Sequence, residues 1–332
     1  MTRKAIYQVI ADGVDFTLAA QARLLNLTVT DAAGVESDTV SIEIADPGGR
    51  TEPPRTGAII SVAMGWEDTG LVHMGKYVAD TPTARGFPET LSVTGRAADQ
   101  RETLKQHRTQ GWENMTIGAI AEEIAGRNNL IPAVSGELAS QLVPFIAQNE
   151  ESDQHFFRRL VERYGGISPV KEGRLVAVPR GAGLSANGKA LPAVLVRRGP
   201  QLLGYNVTLP DRPRFQRVKA SWTDRANAKR QEVEAQAANE GPDFVLRDPY
   251  PTEPEAQAAA DAKAAELKRG GGSLSLTLLG DPTIRAEQPL IVSGLRPGAD
   301  GQWSIGRVNQ SQDGNGGFTT KIQADKGEEE KA

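Results

Sequence analysis

Near each end of the chain stands the same punctuated loop. Asp46, Pro47, Arg50, Glu52 and Pro54 spell D-P-x-x-R-x-E-x-P, and Asp281, Pro282, Arg285, Glu287 and Pro289 spell it again. The matches alone would carry little weight, because turns everywhere draw on the same few residues. Their flanks, however, also recur in order. DTVSIEIA and SLSLTLL come before, and AIISVAMG and PLIVSG come after. A small-basic step follows in MGKYVAD and SIGRVNQ, then ETLSVTG and FTTKIQA. Within DTVSIEIA, Val40, Ile42 and Ile44 alternate with Thr39, Ser41 and Glu43, the period of a half-buried strand. Two similar antiparallel β-barrel domains, one at each end, are therefore expected. Two unrelated β units sharing turn chemistry are the alternative. Three chains with duplicated barrels, set head to tail, would present six similar units and close a ring of pseudo-sixfold character.

Between the copies the rhythm changes. Thr116 can cap a helix whose Ile117, Ile120, Ala121 and Ile124 recur at helical spacing. A second helix follows Ser152, and ISPVKEGRLVAVP reads as two strands joined at Glu172 and Gly173. The expected organisation is a first β-barrel domain over 1-98, a smaller α+β middle domain over 99-200, and a second barrel over 201-325. Strands in LLGYNVTLP, RFQRVKASW, QEVEAQA and DFVLRD are assigned to that second barrel. A helix is inserted over 252-269, with Pro254 in its first turn and Gly270 to Gly272 as its stop. GEEEKA, within 326-332, is a charged tail. The fold class is mainly β with an α+β middle.

Composition narrows the function. In 332 residues there is no cysteine, so disulfides, thiolate catalysis and Cys-type zinc sites are excluded. With 38 basic against 42 acidic residues, the net charge of -4 argues against a protein that wraps nucleic acid through a basic face. No run approaches the length of a membrane span and none resembles a signal peptide, so the chain is expected to fold in a reducing cytoplasm.

Three stretches invite a chemical reading. In QNEESDQHFF, Glu150, Glu151, Ser152, Asp153 and His155 crowd together. With Ser152 as N-cap, however, Phe156, Phe157, Leu160, Val161 and Tyr164 form one apolar stripe. The acids then sit at the positive end of the helix dipole, Arg163 sits at the negative end, and Arg158 and Glu162 are spaced to pair. A catalytic triad needs members converging from separate elements, which one helix turn does not supply. GLSANGKA, residues 183–190, fits most of a phosphate-binding loop. It has Ala190 where a hydroxyl is required, and Pro192 stops the helix that would cradle phosphate, so a Gly-rich hairpin loop is expected instead. His73, His107 and His155 show no metal-ligand spacing. No catalytic, cofactor-binding or metal residue is assigned, no cofactor is expected, and the chain is read as not an enzyme.

The order of QNEESDQHFFRRLVERYGG, VKEGRLVAVPRGAG, the Ala-rich helix, GGGSLSLTLLGDP and QWSIGRVNQSQDGNGGFTTKIQAD resembles the phage late control gene D family. LNLTVTDAAGVESDTVSIEIAD, GLVHMGKYVAD and LSVTGRAAD extend the likeness over nearly the whole chain. The family is the baseplate hub of contractile phage tails, similar to large-myophage hubs and to the N-terminal part of type VI secretion VgrG spike proteins. The resemblance implies a homotrimer in the virion tail baseplate, assembled in the host bacterial cytoplasm. This ring would adapt the sixfold tail tube to the threefold spike and form the channel for DNA. Implied partners are the tail spike protein, a tail tube or tube-initiator protein, baseplate wedge proteins, the tape measure protein, and DNA in transit. Since the chain stops at Ala332, its spike is expected to be a separate polypeptide. The alternatives are the hub of a tailocin or type VI-like spike, or a tail-associated peptidoglycan hydrolase.

Overall fold

Alternating burial along each strand builds one large sheet. The computed structural model describes residues 3–17, 23–34, 37–97, 102–171, 173–181, 183–185, 189–209, 215–224, 229–269 and 272–326. The expected charged tail lies outside these from residue 327 onward.

The first copy comprises β1 (Ala5–Ala11), β2 (Val14–Asp15), β3 (Leu24–Ala32), β4 (Thr39–Ala45), β5 (Ile59–Trp66), β6 (Gly70–Ala79), β7 (Thr83–Arg85) and β8 (Thr90–Ala97). The middle comprises β9 (His107–Thr116), α1 (Ile117–Arg127), β10 (Ile131–Val134), α2 (Gly136–Ala139), β11 (Leu142–Ser152), α3 (Asp153–Arg163), β12 (Gly166–Ile167), β13 (Val170–Lys171) and β14 (Arg174–Pro179). The remainder comprises β15 (Val194–Arg197), β16 (Leu202–Thr208), β17 (Arg217–Asp224), β18 (Lys229–Gln236), β19 (Phe244–Val245), α4 (Glu253–Arg269), β20 (Ser273–Leu279), β21 (Pro289–Ser293), β22 (Gly301–Asp313) and β23 (Phe318–Lys326).

The sequence repeat is a repeat of topology. In the first copy β4 pairs β8, β8 pairs β6 and β6 pairs β5; in the second β20 pairs β23, β23 pairs β22 and β22 pairs β21, all antiparallel. Registers correspond as well, since Ile42 faces Val93 as Leu276 faces Ile322. An outer strand adds to each, β3 on β4 and β16 on β20, and each carries a bulge at the same place, at Leu25 and at Leu203.

Two separate barrels are not what the hydrogen bonds draw. β22 pairs β3, so the two copies fuse into a single 14-stranded sheet running β16-β20-β23-β22-β3-β4-β8-β6-β5-β1-β2, and among the described residues this path does not close. The reason is local: β22 spans 13 residues, so one edge pairs β23 while the other pairs β21 at its start and still has room for β3 at its end.

A second departure concerns RFQRVKASW, QEVEAQA and DFVLRD. They leave the large sheet and form a small one, β18-β17-β19, under α4. Ala256, Ala260 and Ala264 pack there on Val218, Ala220 and Ala235. Small residues on both sides let the helix approach the strands closely, so this unit has its own core.

The middle core is built as the helical periodicity requires. Thr116 Oγ1 accepts from the Ala119 N–H and Ser152 Oγ from the His155 N–H, each satisfying one orphan donor of its helix. Phe156, Phe157, Leu160 and Val161 are completely buried, each contributing about 1.5–3 kcal/mol over exposure. Phe156 stacks on Trp112, with centroids 5.5 Å apart. Trp112 lies on β9, which with β11 makes a long antiparallel ribbon. Neither strand of the ribbon is evident in the sequence, because their apolar residues do not alternate cleanly. No helix among the described residues is long and apolar enough to cross a membrane.

Candidate functional site

The crowded acids of 150–155 are brought together, but around structural partners. Asp153 is 0% exposed. It accepts from Asn128 Nδ2 and Gln148 Nε2, both at 3.0 Å, and faces Arg127 at 3.4 Å and Arg108 at 3.5 Å. It therefore ties α3 to α1 and to the ribbon, beyond its place at the helix dipole. Glu151 accepts from Arg159 Nε at 3.1 Å and Nη2 at 2.6 Å, and touches the exposed His155 ring. Burial pushes its carboxyl up, yet Arg159 and His155 outweigh that and hold it below the ordinary range. The expected Arg158–Glu162 pair does not form among the described residues; Arg158 Nε is buried without a hydrogen-bond partner.

The other two stretches stay apart from it. Leu184 bridges Ala190 in an antiparallel step; residues 186–188 of the expected hairpin loop lie outside the described residues. His73 lies on β6 and His107 at the start of β9. No group of three metal-ligating side chains converges among the described residues.

What the fold does concentrate is contact between the copies. Trp66 of the first copy donates to the Gly280 carbonyl of the second at 2.8 Å, with its ring 5.4 Å from Phe318. Phe318 thereby joins the first copy's core. Beside this, Lys171 of β13 reaches Asp31 at 2.6 Å and Asp38 at 3.5 Å, while Asp31 also accepts the Ala286 N–H at 3.0 Å. One lysine from the middle thus holds carboxylates of the first copy against the loop of the second. Desolvation raises Asp38 to about 6, against the pull of Lys171, and also raises the half-buried Glu287.

The two D-P-x-x-R-x-E-x-P loops fare differently here. Their first carboxylates do the same work: Asp46 accepts from Thr51 N and Oγ1, Asp281 from Thr283 N and Oγ1. Thereafter they diverge. Arg285 reaches across to the His73 carbonyl at 3.1 Å and Glu287 faces Lys171, whereas Arg50 and Glu52 stand exposed.

The seam between β22 and β3 is polar on the face away from the cores. Thr30 Oγ1 donates to Asn309 at 2.8 Å, Ser311 Oγ donates to Asn26 at 3.0 Å, and Thr28 and Ser311 share a bond of 3.1 Å. The same face continues through Ser41, Ser92, Thr94, Ser275 and Thr277. It is a field of hydroxyls and amides interspersed with charges of both signs, Arg96, Arg307 and Lys321 among Glu43, Asp313 and Asp325.

Comparison with known proteins agrees with this architecture. The sequence profile described as phage tail baseplate hub (GPD) matches residues 30–314. The probable baseplate hub protein of Escherichia phage P2 is 32% identical over 96% of this chain and 92% of its own. That of Escherichia phage 186 is 31% identical over 93% and 90%. The 43 kDa tail protein of prophage MuSo2 from Shewanella oneidensis superposes with a TM-score of 0.71 at 15% identity, covering 96% of this chain and 97% of its own. A chain of the Francisella PdpA–VgrG complex superposes at 0.59 with 8% identity, over all of this chain and 60% of its own. The chain belongs to the phage tail baseplate hub family.

Proposed function

We propose that this protein is the structural, non-enzymatic hub subunit of a contractile tail baseplate, acting as a homotrimer. The observation that carries this is the duplicated strand topology. Three chains with two matching copies each supply six similar units, the number needed to meet a sixfold tube, while the chain count meets a threefold spike. Ring closure between chains also accounts for a sheet that does not close within one chain. The working units are 1-98, 99-200 and 201-325, the last interrupted by the small sheet and α4 and joined by β15 from the end of the middle span, which pairs β21. One face of the ring pairs with tube or tube-initiator subunits, the other seats the spike, and wedge proteins attach outside. The lumen passes the tape measure and then DNA, in a virion assembled in the bacterial cytoplasm. A face of hydroxyls and amides in which Arg96, Arg307 and Lys321 are mixed with Glu43, Asp313 and Asp325 suits a lumen wall, because it presents no purely cationic track to hold polyanionic DNA by counterion release. Solution mass together with projection images tests the reading: rings of threefold symmetry with six lobes are expected, and a chain that stays monomeric at all concentrations, with spike protein present, would refute it.

A further inference from the structure

Among the described residues the chain makes the seam between copies once, at β22–β3, and leaves the matching edges open. We propose that neighbouring chains join through β7 and the following turn of one against β16 of the next, with Phe87 seated over Gly204. This deepens the hub reading and rests on it for the presence of more than one copy.

The equivalence follows from registers already described. On β8, Leu91 faces Ala84 as Thr320 of β23 faces Gln310, so β7 occupies in the first copy the place of the seam-forming part of β22. On β20, Leu276 faces Tyr205 as Ile42 of β4 faces Leu27, so β16 occupies the place of β3. Inside the chain Asn309 faces Thr30, Ser311 faces Thr28 and Asp313 faces Asn26. Carried to the open edges, these become Thr83 with Thr208, Arg85 with Asn206, and Phe87 with Gly204 of the next chain.

Three features of the open edges fit a strand that is covered in the assembly. β16, LLGYNVT, carries no charge and no proline, so it lacks the usual defences of a free edge. Leu203, its bulge residue, is 56% exposed. Phe87, at the tip of the β7–β8 turn, is 92% exposed, and a side chain added at Gly204 would meet nothing within 4 Å. An aromatic ring laid across an edge glycine fills such a gap. In the internal seam the corresponding turn is already docked, with the Gly314 N–H donating to the Leu25 carbonyl at 3.1 Å. The loop asymmetry points the same way, since Arg285 is engaged across the internal seam while Arg50 stands exposed.

Because the chain has no cysteine, the seam can be tested by introducing a pair. β7 and β16 lie seven strand spacings apart along the sheet, on the order of 30 Å, so a bond between them joins two chains. Oxidation of the purified T83C/T208C double variant is expected to give reducible covalent dimers and trimers, and each single variant only monomer. Phe87→Asp is expected to weaken trimerisation about tenfold or more while leaving the melting profile of the monomer unchanged, with Phe87→Leu recovering most of the loss. Trimers by mass without any cross-link, and with Phe87→Asp silent, would overturn the seam and leave the hub reading standing. A chain that is monomeric throughout would overturn both.

Discussion

At Gly280 the two copies press closely, and replacing it tests whether their fusion is a packed joint. A Cβ built at this position would lie 2.3 Å from two ring carbons of Phe318, against the core of the first copy. Contact this short cannot be absorbed by a flexible chain end, because Phe318 is itself 1% exposed and held against Trp66. The ring must tilt or the backbone must move. Either shift disturbs the Trp66 bond to the Gly280 carbonyl and the 2.8 Å bond from Gly280 N–H to the Phe318 carbonyl. Overpacking of this kind costs about 1–3 kcal/mol, and a weakened buried hydrogen bond adds about 1 kcal/mol, so Gly280→Ala should destabilise by about 2–4 kcal/mol. Gly126 supplies the control. It lies within α1, has nothing within 4 Å of an added Cβ, and its replacement by alanine should stabilise by about 0.5–1 kcal/mol. Urea unfolding followed by tryptophan fluorescence would read both, Trp66 reporting on the joint itself. A Gly280→Ala protein as stable as the parent, with unchanged fluorescence, would mean that the copies are not locked together as described.

Asp38 gives a pH signature. Its carboxyl is held near 6 in the folded chain against 3.8 as the ordinary value, so the folded state binds its proton more tightly than the unfolded state. The resulting stability is fully present below pH 4 and is lost as pH rises through about 6, by at most about 3 kcal/mol for a shift of this size. The profile of Asp38→Asn should lack this loss between pH 4 and 7, and coincident profiles would contradict the assignment. In the middle region, Leu160→Asp places a charge in a fully buried site and should abolish folding of that region, whereas His155→Ala should leave folding and assembly nearly intact. Proteolysis and solution mass distinguish the two, and an assembly-dead His155→Ala protein would show that this histidine does more than flank a helix.

Much of this molecule is legible one strand at a time. Val40, Ile42 and Ile44, or Ile117, Ile120 and Ile124, declare a buried face through spacing alone, since the period of apolar residues is the period of the backbone. Thr116 and Ser152 declare helix starts for the same local reason, and the doubled D-P-x-x-R-x-E-x-P declares a duplication. The ribbon of β9 and β11 was not legible, because QNEES carries no alternation and reads as a helix start alone. Nor was the partner of Asp153, since Arg108 and Asn128 are distant in sequence.

The sequence by itself thus determined most of the elements, their duplication and the family. Tertiary structure alone decided how the copies relate. The arginine and glutamate of one loop are half-buried against other elements and those of its twin exposed, although the two share a pattern. β22 finds β3, while the outer edges of β16 and β7, built to the same plan, are unpaired among the described residues. Local pattern dictates which face of a strand is apolar. Which edge meets which depends on strand length, curvature and the number of copies present, and these are properties of the folded sheet.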